Sequence, residues 1–374
     1  MKKLYAVLSL LLLASLMLGG CAKATPVEEP AAPTEAPPPT EAPAPTEPPP
    51  PTEPPVPAYI ACQVSDTGGT DDKSFNQFAW LGMEYAEDEF GADIRFLEST
   101  GEADYEPNLN AFIEEGCDMI FGVGFLLNDA TTAAATANPD VSFVGIDHWS
   151  QDLPNFLGSF YNIYEGTMLA GYLAAGITET GIVGVYAGIN IPPVTAFSDG
   201  FYLGIQAYNE AHGTDVKLEG WDPVAEDGLF TGDFFDTDKG RTMTEVLLDA
   251  GADIIMPVAG PVGAGSLAVF EERDAGLLVG VDTDWSTFYP DQAQYVLASA
   301  MKRMDLVVFD AITAGIDGTF EGGNFTGTLE NGRVGMTVGS AWIDSIPADL
   351  MAEIEALAAK IISGEVSAVF PRGE

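Results

Sequence analysis

Short unbroken apolar runs alternate along most of this chain with longer stretches whose apolar residues recur every three or four positions. Residues 59–64 read as a buried strand ending at Ser65 and Asp66, and 74–90 as a helix with Phe75, Phe78, Ala79, Met83 and Ala86 on one face. A strand at 94–97, a helix at 107–115 and strands at 119–123 and 141–146 follow. The pattern then restarts with a strand at 182–186, a helix at 196–212, a strand at 217–219 and a helix at 242–250. Strands at 254–258 and 277–281 complete the second set. Fully apolar strands separated by amphipathic helices predict parallel sheets covered on both faces. Two such units in succession predict an α/β fold of two doubly wound parallel-sheet lobes joined by a hinge, with strand-end loops lining the cleft between them. The segments after Val296 are expected to cross back between the lobes.

The first residues follow another logic. Lys2 and Lys3 precede an apolar run over 4–18 that is short for a bilayer span and ends in small residues, the pattern of a signal peptide. It closes at Leu18-Gly19-Gly20-Cys21, which resembles the bacterial lipobox. That resemblance implies a lipid-modified Cys21 as first residue of the mature protein, with enough acyl chain for stable anchoring. From 24 to 57 the chain is nearly all Pro, Thr, Glu and Ala, a composition that builds no core and holds an extended backbone. At roughly 3.1 Å per residue it would reach on the order of 100 Å. The expected division is therefore signal peptide 1–20, lipidated cysteine and linker 21–57, a first lobe of 58–162 with 296–325, and a second of 163–295 with 326–374.

Charge removes one class of partner. With 14 Lys plus Arg against 57 Asp plus Glu, the net charge is −43, and such a field repels nucleic acid. Apart from Cys21 there are two cysteines, Cys62 and Cys117, in or beside neighbouring predicted strands. An extracytoplasmic location permits a disulfide, and two buried thiols fit the pattern equally well. Neither has the spacing of a redox or metal motif. His148 and His212 are the only histidines, and no nucleophile elbow, zinc-helix motif or phosphate loop is present, so neither catalysis nor a cofactor or metal is expected.

The most distinctive string is Ser65-Asp66-Thr67-Gly68-Gly69-Thr70-Asp71-Asp72-Lys73-Ser74-Phe75-Asn76-Gln77, between the first strand and first helix. Its glycines allow a sharp turn, and Asp72 or Ser74 can cap the helix. Capping leaves Phe75 unexplained: an aromatic in the first helical turn beside a cleft, where a flat ligand would stack. This string resembles the basic membrane lipoprotein family, as does Gly188-Ile189-Asn190-Ile191-Pro192-Pro193-Val194 with Phe197-Ser198-Asp199-Gly200-Phe201. Further matches are Val144-Gly145-Ile146-Asp147, Phe234-Phe235-Asp236-Thr237-Asp238-Lys239-Gly240, Val258-Ala259-Gly260, Val279-Gly280-Val281-Asp282 and Ser299-Ala300-Met301-Lys302-Arg303. The family comprises purine nucleoside receptors of ABC transporters with a type I periplasmic-binding fold.

That resemblance implies a purine nucleoside (guanosine, inosine or adenosine) as ligand and ABC permease subunits as partners. It places the base between Phe75 and Phe234, with Phe230 and Phe235 as alternatives to the latter. Asp66, Asn76 and Asp147 would approach from the first lobe, Asp282 and Lys302 would hold the ribose hydroxyls, and the Gly260 backbone would lie close by. A carboxylate accepts from two vicinal hydroxyls and an ammonium donates to them. Asp147 and Asp282 as mere helix caps, and Lys302 as a surface lysine, are the competing readings; Trp221, Phe197 and Trp285 are expected to pack. The chain departs from the family pattern at Pro261-Val262, at Trp285 after Asp284, and in a longer stretch over 222–232. All three bear on the second-lobe wall and on base selectivity. A sugar or furanone receptor, a sensor using the same fold, and a carboxylate-only hydrolase are the alternative functions.

Overall fold

The alternation of apolar runs and amphipathic stretches folds as two α/β lobes. A computed structural model describes residues 58–67 and 69–372. The expected signal peptide, Cys21 and the Pro-rich tract lie outside the described residues. The first lobe runs β1 (Ile60–Ser65), α1 (Phe75–Phe90), β2 (Asp93–Leu97), α2 (Tyr105–Glu114), β3 (Met119–Val123), α3 (Asn128–Ala137), β4 (Ser142–Ile146) and β5 (Phe156–Tyr161). The second runs α4 (Ile163–Ile177), β6 (Ile182–Ala187), α5 (Pro192–His212), β7 (Lys217–Glu219), a hairpin of β8 (Trp221–Asp222) and β9 (Asp227–Gly228), α6 (Thr237–Asp249), β10 (Ile254–Val258), α7 (Ala264–Arg273), β11 (Leu277–Asp282), α8 (Trp285–Phe288) and β12 (Val296–Lys302). The chain ends with α9 (Met304–Ile316), β13 (Gly323–Gly327), β14 (Val334–Val338) and α10 (Ala348–Ile362).

The first sheet has the order β13-β5-β4-β3-β1-β2, and the second β14-β12-β11-β10-β6-β7. All pairings are parallel except β12 with β14. In each, the first strand lies between the second and third, the doubly wound arrangement that opens a crevice at the carboxyl edge. Register then decides what reaches that edge. Ser65 pairs with Val123 and Val123 with Ile146, so Asp66, Gly124 and Asp147 leave the sheet side by side. In the second sheet Ala187 pairs with Val258 and Asp282 with Met301, so Gly188 and Ala259 leave that edge side by side, and so do Thr283 and Lys302.

Each sheet buries its outer face in its own cluster: Cys62, Tyr105, Phe112, Ile120 and Phe143 in the first, Tyr186, Leu247, Ile255, Phe270 and Trp285 in the second. The opposite faces share one apolar cluster that runs through both lobes. Helix limits follow local chemistry. Gly91 and Gly213 end α1 and α5 in the left-handed conformation, and Pro192 and Pro193 open α5 where their missing N–H groups cost nothing. Helix α6 starts at Thr237, earlier than its apolar period suggests, because the Asp236 carboxylate accepts from the Asp238 N–H.

One expectation changes here and one open choice closes. Instead of opening the return to the first lobe, Val296–Lys302 pairs with β11 and β14 and belongs to the second sheet. The chain crosses only after Lys302, entering α9, which packs on α1 of the first lobe. Apolar periodicity marks β12 as a strand without naming its neighbour, so the boundary cannot be read locally. The crossings lie together: the Asn162 N–H donates to the Gly327 carbonyl and the Arg303 N–H to the Arg333 carbonyl, both at 2.8 Å. The open choice at the cysteines is resolved as a Cys62–Cys117 disulfide, with Cα atoms 6.2 Å apart, tying β1 to the start of β3.

Candidate functional site

Where the strand ends of the two lobes face each other they line a cavity with about 580 Å³ of empty space, the open solvent at its mouth included. From the first lobe come Asp66, Asp72, Phe75, Asn76, Gly124, Phe125 and Asp147; from the second Ile191, Pro193, Val194, Phe197, Phe234, Gly260, Asp282 and Lys302. All eight residues expected from the sequence to contact a ligand therefore line one cavity. Among the alternatives to Phe234, Phe230 packs edge-on against Trp221 and Phe235 is 62% exposed on the outside.

Backbone detail holds these side chains in place. Asp147 and Asp282 end equivalent strands of the two sheets, and both adopt positive φ, 63° and 67°, as does Gly260 at 54°. Neither aspartate accepts a helix-capping bond; Asp284 performs that task for α8, accepting from the Ser286 N–H at 3.0 Å. The competing reading of Asp282 as a cap is thus set aside by its neighbour. Glycine is required at two walls. A Cβ at Gly124 would lie 2.2 Å from an Asp66 carboxylate oxygen, and one at Gly188 would lie 2.2 Å from the Phe234 ring. The Asp72 carboxylate accepts from the backbone N–H groups of Ser74, Asn76 and Gln77 at 2.8–3.0 Å, organising the first turn of α1. Asp72 is therefore both the cap foreseen and a wall residue that was not.

The electrostatics are unusual for a buried site. Lys302 is 2% exposed, so it is no surface lysine; its Nζ donates to Asp147 Oδ2 at 2.5 Å, bridging the second lobe to the first. The same ammonium lies 5.0 Å from the Phe75 ring centre, 5.1 Å from Tyr161 and 6.0 Å from Phe197. Four carboxylates, of Asp66, Asp72, Asp147 and Asp282, line the cavity with this one ammonium. Burial pushes Asp66 up to about 7, helped by Asp72 and Asp147 and opposed by the Asn76 amide, which donates at 3.3 Å. Burial likewise raises Asp282 to about 7, with Lys302 opposing and Asp147 and Asp72 adding to it. Asp72 is raised by burial despite its three N–H donors. Two buried acceptors at the cavity, Asp147 Oδ1 and Asn76 Oδ1, have no hydrogen-bond partner among the described residues. Buried acceptors of this kind are costly unless something supplies a donor. Among the described residues no cluster of three metal-ligating side chains exists, and no helix is long and apolar enough to cross a membrane.

Phe197 was expected only to pack, yet it lines the cavity while 3% exposed. Its motif was visible in the sequence; the inward turn of the ring was not, because α5 presents Phe197 and Phe201 on one apolar face and only the opposing lobe distinguishes them. Trp285 and Trp221 do pack: the indole N–H of Trp285 donates to the Val281 carbonyl, and that of Trp221 to Asp199.

Comparison with known proteins agrees with this geometry. Residues 60–369 match the family model Bmp, described as ABC transporter substrate-binding protein PnrA-like. An ABC transporter nucleoside-binding protein of Lactococcus lactis is 31% identical over 299 residues, covering 75% of this chain and 82% of that protein. A lipoprotein of Pyrococcus abyssi is 32% identical over 278 residues, covering 71% of this chain and 66% of the other. In fold, the chain is similar to an ABC transporter solute-binding protein of Aeropyrum pernix, with a TM-score of 0.75 and 27% identity over 84% of this chain and 94% of that one. A two-lobed α/β receptor with a buried cleft, matched over nearly all its folded length, belongs to the Bmp family of PnrA-like ABC transporter substrate-binding proteins.

Proposed function

We propose that the cleft binds one purine nucleoside for uptake, and that Cys21 anchors the receptor by lipid at the outer face of a cell membrane. The reading rests above all on one juxtaposition: two phenyl walls, Phe75 and Phe234, beside a buried set of carboxylates with a single ammonium. Aromatic faces suit a flat base, stacking being worth about 1–3 kcal/mol. Asp282 and Lys302 suit vicinal hydroxyls, one accepting and the other donating. Asp66 and Asn76, linked to each other, offer both donor and acceptor to the polar edge of a base. The relative from Lactococcus lactis, named for nucleoside binding, points the same way.

The charge balance also says what is refused. A nucleotide would bring further negative charge into a cavity whose lining carboxylates already outnumber its one lining ammonium. Calorimetry with guanosine, inosine, adenosine, uridine, ribose and inosine monophosphate tests the assignment. Purine nucleosides should bind and the monophosphate should not. Ribose binding as tightly as the nucleosides, or no purine nucleoside binding at all, would sink it. Closure of the lobes around the ligand would then report occupancy to the permease subunits.

A further inference from the structure

Lys73 belongs to the distinctive string before α1, yet it is exposed and does not line the cavity. Its backbone is held at φ 55°, a conformation uncommon outside glycine. Both sides of that residue are pinned: its own N–H donates to Gln77 Oε1 at 2.8 Å, and the next N–H, of Ser74, donates to the Asp72 carboxylate. The side chain is thereby carried across the cleft mouth, where Nζ sits 4.8 Å above the centre of the Tyr289 ring in the other lobe. Among the described residues Lys73 forms no ion pair, although the chain has 57 acidic residues to offer. It meets an aromatic face instead.

The receiving ring is equally fixed. Tyr289 follows α8, its N–H donating to the Trp285 carbonyl at 2.8 Å, and its ring stacks on Trp285 at 5.0 Å and 27°. Trp285 is fully buried and anchored to the Val281 carbonyl, one residue before Asp282. Two further approaches mark the same seam. A Cβ on Gly260 would come within 3.9 Å of Ser74 Oγ, and the Tyr289 hydroxyl is pushed up to about 12 by burial and by Asp72 opposite.

We infer that Lys73 and Tyr289 form a cation–π latch across the mouth of the cleft, a pair of positioning residues that hold the lobes closed over bound ligand and slow its escape. The two groups belong to different lobes, so the contact exists only when the lobes meet, and its free energy falls entirely on the closed state. Its effect should appear in dissociation rather than association. The inference rests on the cleft being the ligand site, as proposed above.

Stopped-flow kinetics on the full chain, using whichever purine nucleoside it binds most tightly, test it with Lys73→Met, Tyr289→Leu and the double variant. Each single variant should dissociate about threefold to tenfold faster, with association within twofold of the parent. The double variant should be no faster than the worse single one. Lys73→Arg and Tyr289→Phe, which keep cation and ring, should behave as the parent. Unchanged dissociation, effects that multiply in the double variant, or loss in Tyr289→Phe would overturn the latch. Hydrogen exchange of the 71–77 segment in the ligand-free chain separates this from an error of cargo. If no nucleoside binds, faster exchange in both single variants still supports the latch, and exchange equal to the parent refutes it.

Discussion

Replacing Asp282 by Asn should make the protein more stable and a far poorer receptor. The carboxylate is 6% exposed and its pKa is raised from the ordinary 3.8 to about 7, chiefly by burial. At about 1.4 kcal/mol per pH unit, keeping it ionised costs roughly 4 kcal/mol, an upper bound because the interior relaxes. The sign follows from that direction. A folded-state pKa above the unfolded one means the protonated form favours folding. That stability is fully present below about pH 4 and is lost as pH rises through 7. Asp282→Asn removes the cost where the carboxylate is charged, so its thermal midpoint should exceed the parent's at pH 8, and the gap should close towards pH 4. Binding runs the other way. If the ionised carboxylate accepts from two ribose hydroxyls, at about 1.5–3 kcal/mol each for bonds to a charged group, losing it weakens binding by roughly 10²- to 10⁴-fold. In the parent, affinity should fall as pH drops below 7, because binding then expels a proton. Calorimetry for affinity and scanning calorimetry for stability, each at pH 5 and pH 8, measure both. Affinity within threefold of the parent would refute the role of Asp282 in the site. A lower midpoint at pH 8 would refute the account of its burial.

Phe75→Ala and Phe234→Ala should each weaken nucleoside binding by about 1–3 kcal/mol, and far less for free ribose if it binds at all; equal losses for both ligands would remove the stacking argument. Joint replacement of Cys62 and Cys117 by Ala should lower stability by about 4 kcal/mol in a chain-entropy treatment of a 55-residue separation, read by urea titration. Cys21→Ser should move the protein from the membrane fraction to the soluble one, and retention on the membrane would disprove the lipid anchor.

The string around Phe75 shows how much of the cleft is legible in one dimension. Asp66, Asp72, Phe75 and Asn76 all reach the cavity because a loop leaving the carboxyl end of a parallel strand has nowhere else to go, and its glycines and capping aspartate announce it. The same holds for Asp147 and Asp282 at the ends of two nearly identical apolar runs. Phe197 was legible as a motif residue and not as a wall, since an amphipathic helix says which face is apolar and not what lies opposite. The lodging of β12 in the second sheet was hidden for a related reason: strand pairing joins residues far apart in the chain, and the apolar run over 296–302 would suit either sheet.

By itself, then, the sequence determined the local elements, the two-lobed α/β plan, the acidic surface and the residues that leave the strands at the cleft. All are set by periodicity, turn chemistry and charge within a few neighbours. Tertiary structure alone decided the Cys62–Cys117 bridge, the course of the chain between lobes and the meeting of Lys302 with Asp147, 155 residues away. It alone also brought Lys73 over Tyr289. The pKa values of Asp66 and Asp282 belong with these, because burial by distant segments, not the neighbouring residues in the chain, is what raises them.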